Sequence, residues 1–219
     1  MIKQKFKTEY LDYNLTGCFV DSHNKFALIH IFKNASISMR NALGMRGKYY
    51  EWSEAKKIKN IETLCIIREP TNRLVSAYQY ILRLEDGGFP HRHPINITKE
   101  TKFFNCKKDP IKSFVLFLEF IQNNGFYDAV LVPQNQFLDS RNLKIHDIDH
   151  LFILENIQEE YDIFCKMKKI DNKLQIDNSS SRDVTKMLME FINTDLERQK
   201  QIYDLYEKDY QMYKLWSSK

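Results

Sequence analysis

Phe26-Ala27-Leu28-Ile29-His30-Ile31-Phe32-Lys33-Asn34-Ala35-Ser36-Ile37-Ser38-Met39-Arg40-Asn41-Ala42-Leu43-Gly44 is the stretch on which the reading of the fold turns. Its first seven residues are an apolar run too short for a helix and suited to a strand buried on both faces. From Lys33 the chain leaves that strand through a loop and enters a short helix that Gly44 stops. A strand, a loop and a helix start in this order make an anion cradle: backbone N–H groups and the positive end of the helix dipole hold a phosphate. Ser36 and Ser38 add hydroxyl donors, and Lys33 adds a mobile charge. A P-loop nucleotidase would carry its lysine at the end of a glycine-containing loop; here the lysine leads and the loop has no glycine, which disfavours nucleoside triphosphate hydrolysis. The plainer reading of the same residues is a lysine-flanked turn with two capping serines.

Three more apolar runs lie downstream: Leu64 to Ile67, Asp128 to Val132, and His150 to Leu154, separated by segments with helical spacing. Thr71 offers a capping hydroxyl for a helix over 72–84, and Asp109-Pro110 gives a cap and a first-turn proline for a helix over 111–122. Thr194-Asp195 opens a last helix in which Ile202, Leu205, Tyr206, Tyr210, Tyr213 and Leu215 recur mostly at three- and four-residue steps. Alternating strands and helices predict an α/β fold with a mostly parallel central sheet flanked by helices. Ligands in that architecture sit beyond the carboxyl ends of the strands.

The chain has 219 residues, enough for one sizeable domain spanning 1–219. With 43% hydrophobic and 28% charged residues it has the composition of an ordinary globular protein. A net charge of +4 suits an anionic ligand but falls short of the clustered charge of a dedicated nucleic-acid binder. No stretch has the length of a signal peptide's apolar region or of a membrane span, so no stable membrane insertion and a cytoplasmic location are expected. Cys18, Cys65, Cys106 and Cys165 form no C-x-x-C pair and are expected as free thiols, with no zinc or redox site.

The second run passes into Ile67-Arg68-Glu69-Pro70-Thr71-Asn72-Arg73-Leu74-Val75-Ser76-Ala77-Tyr78, again strand, turn and helix. Arg68 leaves the strand tip just before the proline. Ser76 follows in the second helical turn, on the face it shares with Arg73, while Leu74, Val75, Tyr78, Ile81 and Leu82 form the opposite, buried stripe. A guanidinium at a strand end and a hydroxyl on the next helix can grip one phosphate from two sides, each charge-assisted bond worth roughly 1.5 to 3 kcal/mol. The alternative is an ion pair between an arginine and a nearby carboxylate.

The K-x-x-x-[ST] loop and the R-[DE]-P-x-x-R-x-x-S-x-Y segment, in this order, resemble the two cofactor motifs of the sulfotransferase superfamily, closest to its carbohydrate sulfotransferase branch. Pro133-Gln134, Leu154-Glu155-Asn156-Ile157 and Asn178-Ser179-Ser180-Ser181-Arg182 are similar to later landmarks of that branch, so the likeness spans 26–215. It implies a P-loop-like sulfotransferase architecture using 3′-phosphoadenosine 5′-phosphosulfate and no metal. Lys33, Asn34, Ala35, Ser36, Ile37, Ser38, Met39 and Arg40 would bind the 5′-phosphosulfate. Arg68 and Ser76 would bind the 3′-phosphate, and Ser180 and Arg182 belong to a segment folding over the nucleotide. Phe32 stands where the family has proline, and Ile37 where it has threonine.

Sulfuryl transfer needs in-line positioning and charge stabilisation, which Lys33 and helix amides supply, together with a base for the acceptor hydroxyl. Between the two motifs lie Glu51, Glu54 and Glu62; Glu51, in Tyr49-Tyr50-Glu51-Trp52, is the first choice and Glu54 the second. His91 and His93 occupy a glycine-proline loop that could border the acceptor pocket. The expected partner is a hydroxyl-bearing acceptor, a sugar or glycolipid in the family reading, and no nucleic acid. A kinase-like phosphoryl transferase and a non-catalytic nucleotide or polyanion-binding module are the rivals.

Overall fold

The computed structural model describes residues 15–45, 49–85, 102–126, 128–176 and 181–218. Five strands, β1 (Gly17–Val20), β2 (Phe26–Ile29), β3 (Tyr49–Glu51), β4 (Glu62–Ile67) and β5 (His150–Ile153), form one sheet in the order β3-β1-β2-β4-β5. β2, β4 and β5 pair in parallel, whereas β1 runs antiparallel to both of its neighbours. Four strands therefore point one way, and the sheet is mostly parallel with one reversed member. The reversal is made by a tight turn around Asp21, whose carboxylate accepts the N–H groups of His23, Lys25 and Phe26 at 3.1, 2.6 and 2.7 Å. Asn24 takes φ 54° there, a left-handed conformation that asparagine tolerates better than most residues.

Among the described residues the helices are α1 (Ser36–Ala42), α2 (Trp52–Ala55), α3 (Pro70–Glu85), α4 (Lys102–Asn105), α5 (Pro110–Asn124), α6 (Gln134–Asp139), α7 (Ile157–Lys168), α8 (Arg182–Thr194) and α9 (Leu196–Ser217). None is long and apolar enough to cross a membrane. The α5 cap forms as its sequence dictates: Asp109 accepts the Lys112 N–H and Pro110 takes the first helical position. α3 starts earlier than a Thr71 cap would allow, because Pro70 itself enters the helix, where its fixed φ and missing N–H cost nothing.

Asp128 to Val132, expected as a strand, is instead a chain of turns. The Asp128 carboxylate accepts the Val130 N–H at 2.8 Å and its carbonyl accepts the Leu131 N–H at 2.9 Å. An aspartate that satisfies the following backbone locally overrides the β preference of the valines. Tyr206 Oη then donates to the Leu131 carbonyl at 2.8 Å, fixing the buried turn.

The described parts of Asn14–Glu69, Pro133–Asp177 and Lys208–Lys219 form one compact unit that holds the whole sheet; those of Pro70–Val132 and Asn178–Glu207 form a second, helical one. Alternating residues of the strands feed two cores in the sheet unit. Phe19, Leu28, Leu64, Ile66 and Phe152 pack with Met39 of α1 and Tyr161 and Phe164 of α7; Cys18, Val20 and Ala27 pack with Trp52 and Ala55 of α2. In the helical unit Tyr78 meets Phe114 and Phe117 at ring separations of 5.2 and 5.1 Å. The Gln79 amide there donates to Thr185 and accepts from the Ser181 N–H, tying α8 to α3.

α6 begins after Pro133, which stands at the cap position and brings no capping side chain. Asp209 supplies the cap from α9: fully buried, its carboxylate accepts the N–H groups of Gln134 and Asn135 at 2.7 and 2.8 Å. Replacing Asp209 by Ala leaves both N–H groups unmet in a buried place, and we expect a loss of about 3 kcal/mol. Chemical denaturation of the variant measures it; a change below about 0.5 kcal/mol, the usual range for surface substitutions, would show that the cap is dispensable.

Candidate active site

The loop after β2 is held in an uncommon backbone shape. Lys33 and Ala35 have φ values of 68° and 55°, in the left-handed region that costs a non-glycine residue about 1–2 kcal/mol. Between them Asn34 is fully buried, and its Nδ2 donates to the Ile66 carbonyl at 2.7 Å and to Gln134 Oε1 at 2.6 Å. Those two bonds hold the strained loop against the end of β4.

Gln134 does the same for the second motif. Its Oε1 accepts the Arg68 N–H at 2.9 Å and its Nε2 donates to the Arg68 carbonyl at 2.8 Å, so that the side-chain amide pairs with the backbone as a neighbouring strand would. Arg68 Nη1 in turn donates to the Lys33 carbonyl at 3.1 Å. The lysine loop and the arginine are thus joined directly at the carboxyl edge of the sheet.

The other loop residues divide by environment. Ser36 Oγ donates to the Ile31 carbonyl at 2.8 Å, which engages its hydroxyl proton in shaping the loop. Among the described residues no side chain caps α1 at Ala35. Met39 is fully buried in the core and Ser38 nearly so, whereas Ile37 is 47% exposed. The Arg40 guanidinium lies 5.1 Å over the Phe19 ring and donates weakly to Asn41 Oδ1 at 3.3 and 3.4 Å.

Arg68 belongs to the sheet unit and Ser76 to the helical one. Ser76 and Arg73 are buried like the apolar stripe of α3, so this helix has no exposed polar face over its first turns. Arg182 is the exposed first residue of α8, which Ser181 caps. Ser180, His91 and His93 lie outside the described residues.

Of the carboxylates, Glu51 ends β3, opposite Gly17 of β1. Because β3 and β2 run in the same direction, Glu51 stands at the same edge of the sheet as the Lys33 loop. Its Oε2 accepts a short hydrogen bond from Thr16 Oγ1. Glu54 is exposed on α2. Glu62 begins β4 and so stands about 17 Å from that edge at the usual rise of a strand. His150 and Lys168 bond it; partial burial pushes its carboxyl up, and those two bonds outweigh burial and hold it below the ordinary range.

Two residues at this edge escape a reading by motif. His30 is pushed down to about 4, first by burial and then by the Arg141 and Arg40 cations, and is neutral at neutral pH. Arg141, 4% exposed, donates to the carbonyls of Gly17 and Phe137 and carries no sequence signal that would set it apart from a surface arginine. The cysteines are free; burial pushes Cys18 and Cys65 up to about 11 and 12, which makes them inert thiols at neutral pH.

Residues 16–215, nearly the whole chain and both of its units, match the model of the sulfotransferase family. The chain belongs to that family. No curated protein and no solved structure matches it. Membership makes the chain a transferase that moves a sulfuryl group to a hydroxyl acceptor, and the sheet flanked by helices is the fold that goes with it.

Replacing Gln134 by Leu keeps the volume and removes the amide. We expect a loss of about 3–5 kcal/mol, because the Arg68 N–H, the Arg68 carbonyl and Asn34 Nδ2 each lose a buried partner. Hydrogen exchange at the Arg68 amide should quicken by about tenfold or more relative to β5; equal protection in both proteins would contradict the role given to Gln134.

Proposed function

We propose that this sulfotransferase transfers the sulfuryl group of 3′-phosphoadenosine 5′-phosphosulfate to a hydroxyl of a sugar or glycolipid. The observation that carries the reading is the bond from Arg68 to the Lys33 carbonyl, which joins the two motifs at the carboxyl edge of the sheet. The donor set fits a nucleotide carrying two phosphates: the Lys33 ammonium, the Arg68 guanidinium and, on α1, Arg40, beside a helix start that no described side chain caps.

When bound, the nucleotide supplies the sulfuryl group. Lys33 neutralises charge on the departing phosphate oxygen, and the backbone of 34–40 orients the phosphosulfate. Arg68 holds the 3′-phosphate, and the family match over 16–215 is the reason to treat 1–219 as a single catalytic domain. Glu51 takes the proton of the acceptor hydroxyl. A carboxylate has about four lone-pair positions, so the bond from Thr16 fixes its direction without exhausting it. Glu54, exposed one helical turn further on, is the second choice for that role.

3′-Phosphoadenosine 5′-phosphate should raise the melting temperature far more than ATP, since only the former has the 3′-phosphate. Equal shifts would favour the kinase-like alternative or a plain polyanion-binding module. Lys33→Ala should retain the native melting profile and lose most of its turnover, and an unchanged rate would remove the leaving-group role. Glu51→Gln should lower the rate by about 10²–10⁴; near-normal turnover would pass the role of base to Glu54 or His91.

A further inference from the structure

Arg141 is 4% exposed, and burying a cation is costly unless an anion or a full set of acceptors meets it. Here neither is complete. Its Nη1 donates to the Phe137 carbonyl, one turn back in α6, and its Nη2 to the Gly17 carbonyl at 2.6 Å. Among the described residues its Nε has no hydrogen-bond partner. The ionisable groups around it act through space: burial pushes the guanidinium down, and Cys65, Tyr49, Cys18 and Glu51 push it back up. Burial keeps both thiols and the Tyr49 phenol protonated, so the negative charge among these four is that of Glu51. An arginine needed only to close the end of α6 could do so from the surface, where its charge would be hydrated.

The bond to Gly17 leads to Glu51 by a short path. Gly17 pairs with Glu51 across β1 and β3. The neighbouring Thr16 gives its hydroxyl to the Glu51 carboxylate, and its carbonyl accepts the Trp52 N–H at 3.0 Å. Gly17 itself has no room for a side chain, since a Cβ built on it would lie 1.9 Å from Cζ of Tyr49. Residues 16 and 17 are therefore fastened to the end of β3 through Glu51 and Trp52, and to the turn after α6 through Arg141. The charge of Arg141 reaches the end of β2 as well: burial first, then Arg141 and Arg40, hold the His30 imidazole down to about 4.

We propose that Arg141 is a positioning residue for sulfuryl transfer: through Gly17 and Thr16 it sets the direction of the Glu51 carboxylate, and as the buried positive charge at this edge it keeps that carboxylate in the ionised form a base requires. The inference rests on the reading of Glu51 as the base. A plain structural tie would be indifferent to charge, because any donor reaching Phe137 and Gly17 would hold the backbone. A tie that also tunes the site depends on the charge.

Variants of the whole chain separate the two roles. Arg141→Gln keeps a donor and removes the charge, Arg141→Lys keeps the charge and loses the fork, and Arg141→Met removes both. The His30 ring signal in NMR, assigned by its loss in His30→Gln, reads the field without any acceptor. Its midpoint, near 4 in the native protein, should rise by about one pH unit or more in Arg141→Gln and Arg141→Met and stay in place in Arg141→Lys. Turnover is followed from radiolabelled 3′-phosphoadenosine 5′-phosphosulfate to methyl pyranosides and unsulfated oligosaccharides. A carboxylate that loses a nearby cation holds its proton to higher pH, so the acid limb of kcat/KM in Arg141→Gln should move up by about one pH unit, tenfold in rate along the limb. Arg141→Lys should recover the native limb. 3′-Phosphoadenosine 5′-phosphate should raise the melting temperature equally in native protein and Arg141→Gln, which also certifies the variant as folded. A His30 midpoint or an acid limb that Arg141→Gln leaves unmoved overturns the inference, while the nucleotide shift keeps the family reading intact. Near-normal turnover of Glu51→Gln removes the base and this inference with it, and absence of the nucleotide shift in the native protein overturns the sulfotransferase reading itself.

Discussion

One buried side-chain amide holds the candidate site together. Gln134 gives its oxygen to Asn34 and to the Arg68 N–H and its nitrogen to the Arg68 carbonyl, while its own backbone N–H is taken by Asp209. Three segments far apart in sequence are fastened by these bonds, and a buried polar group that loses its partner costs its full desolvation penalty. The lysine loop depends on it most. Two non-glycine residues in left-handed conformation would relax to an ordinary turn unless the surrounding bonds over-determine them, and strain of that kind gathers at binding sites. Asn34, fully buried between Lys33 and Ala35, is the anchor that keeps the loop from doing so.

The same network accounts for how much of the protein could be read without coordinates. The strand entering Lys33 and the strand entering Arg68 were legible because an apolar run followed by a polar, lysine- or arginine-led loop has few other folded meanings. The join between them was not, since it passes through a glutamine a hundred residues from Asn34, and glutamine has no characteristic spacing. Three- and four-residue strands such as β3 and β1 are too short to show a period, and Asp128 to Val132 is an apolar run whose own aspartate cancels its strand preference through local hydrogen bonds. Ser36 read as a phosphate donor because a sequence cannot tell that its proton goes to Ile31. Tyr49 and Gly17 were in plain view, but a glycine that makes room for a ring two strands' worth of sequence away looks like any other.

The reversed strand explains why a carboxylate stands beside the lysine loop at all. In a wholly parallel arrangement a strand placed next to β2 would need a crossover of a dozen or more residues. The turn at Asp21 makes β1 fold straight back on β2, and β3, antiparallel to β1, is thereby turned to run with β2 again. Two reversals bring the end of β3 to the edge where β2 ends. Glu51 reaches the site by that route, and the short turn fixes its register: Asp21 sets Cys18 opposite Ile29, and Gly17, one residue on, pairs with Glu51. The position of Glu51 is therefore a consequence of one hairpin, and a change that slips this register by one residue would move the proposed base to the opposite face of the sheet.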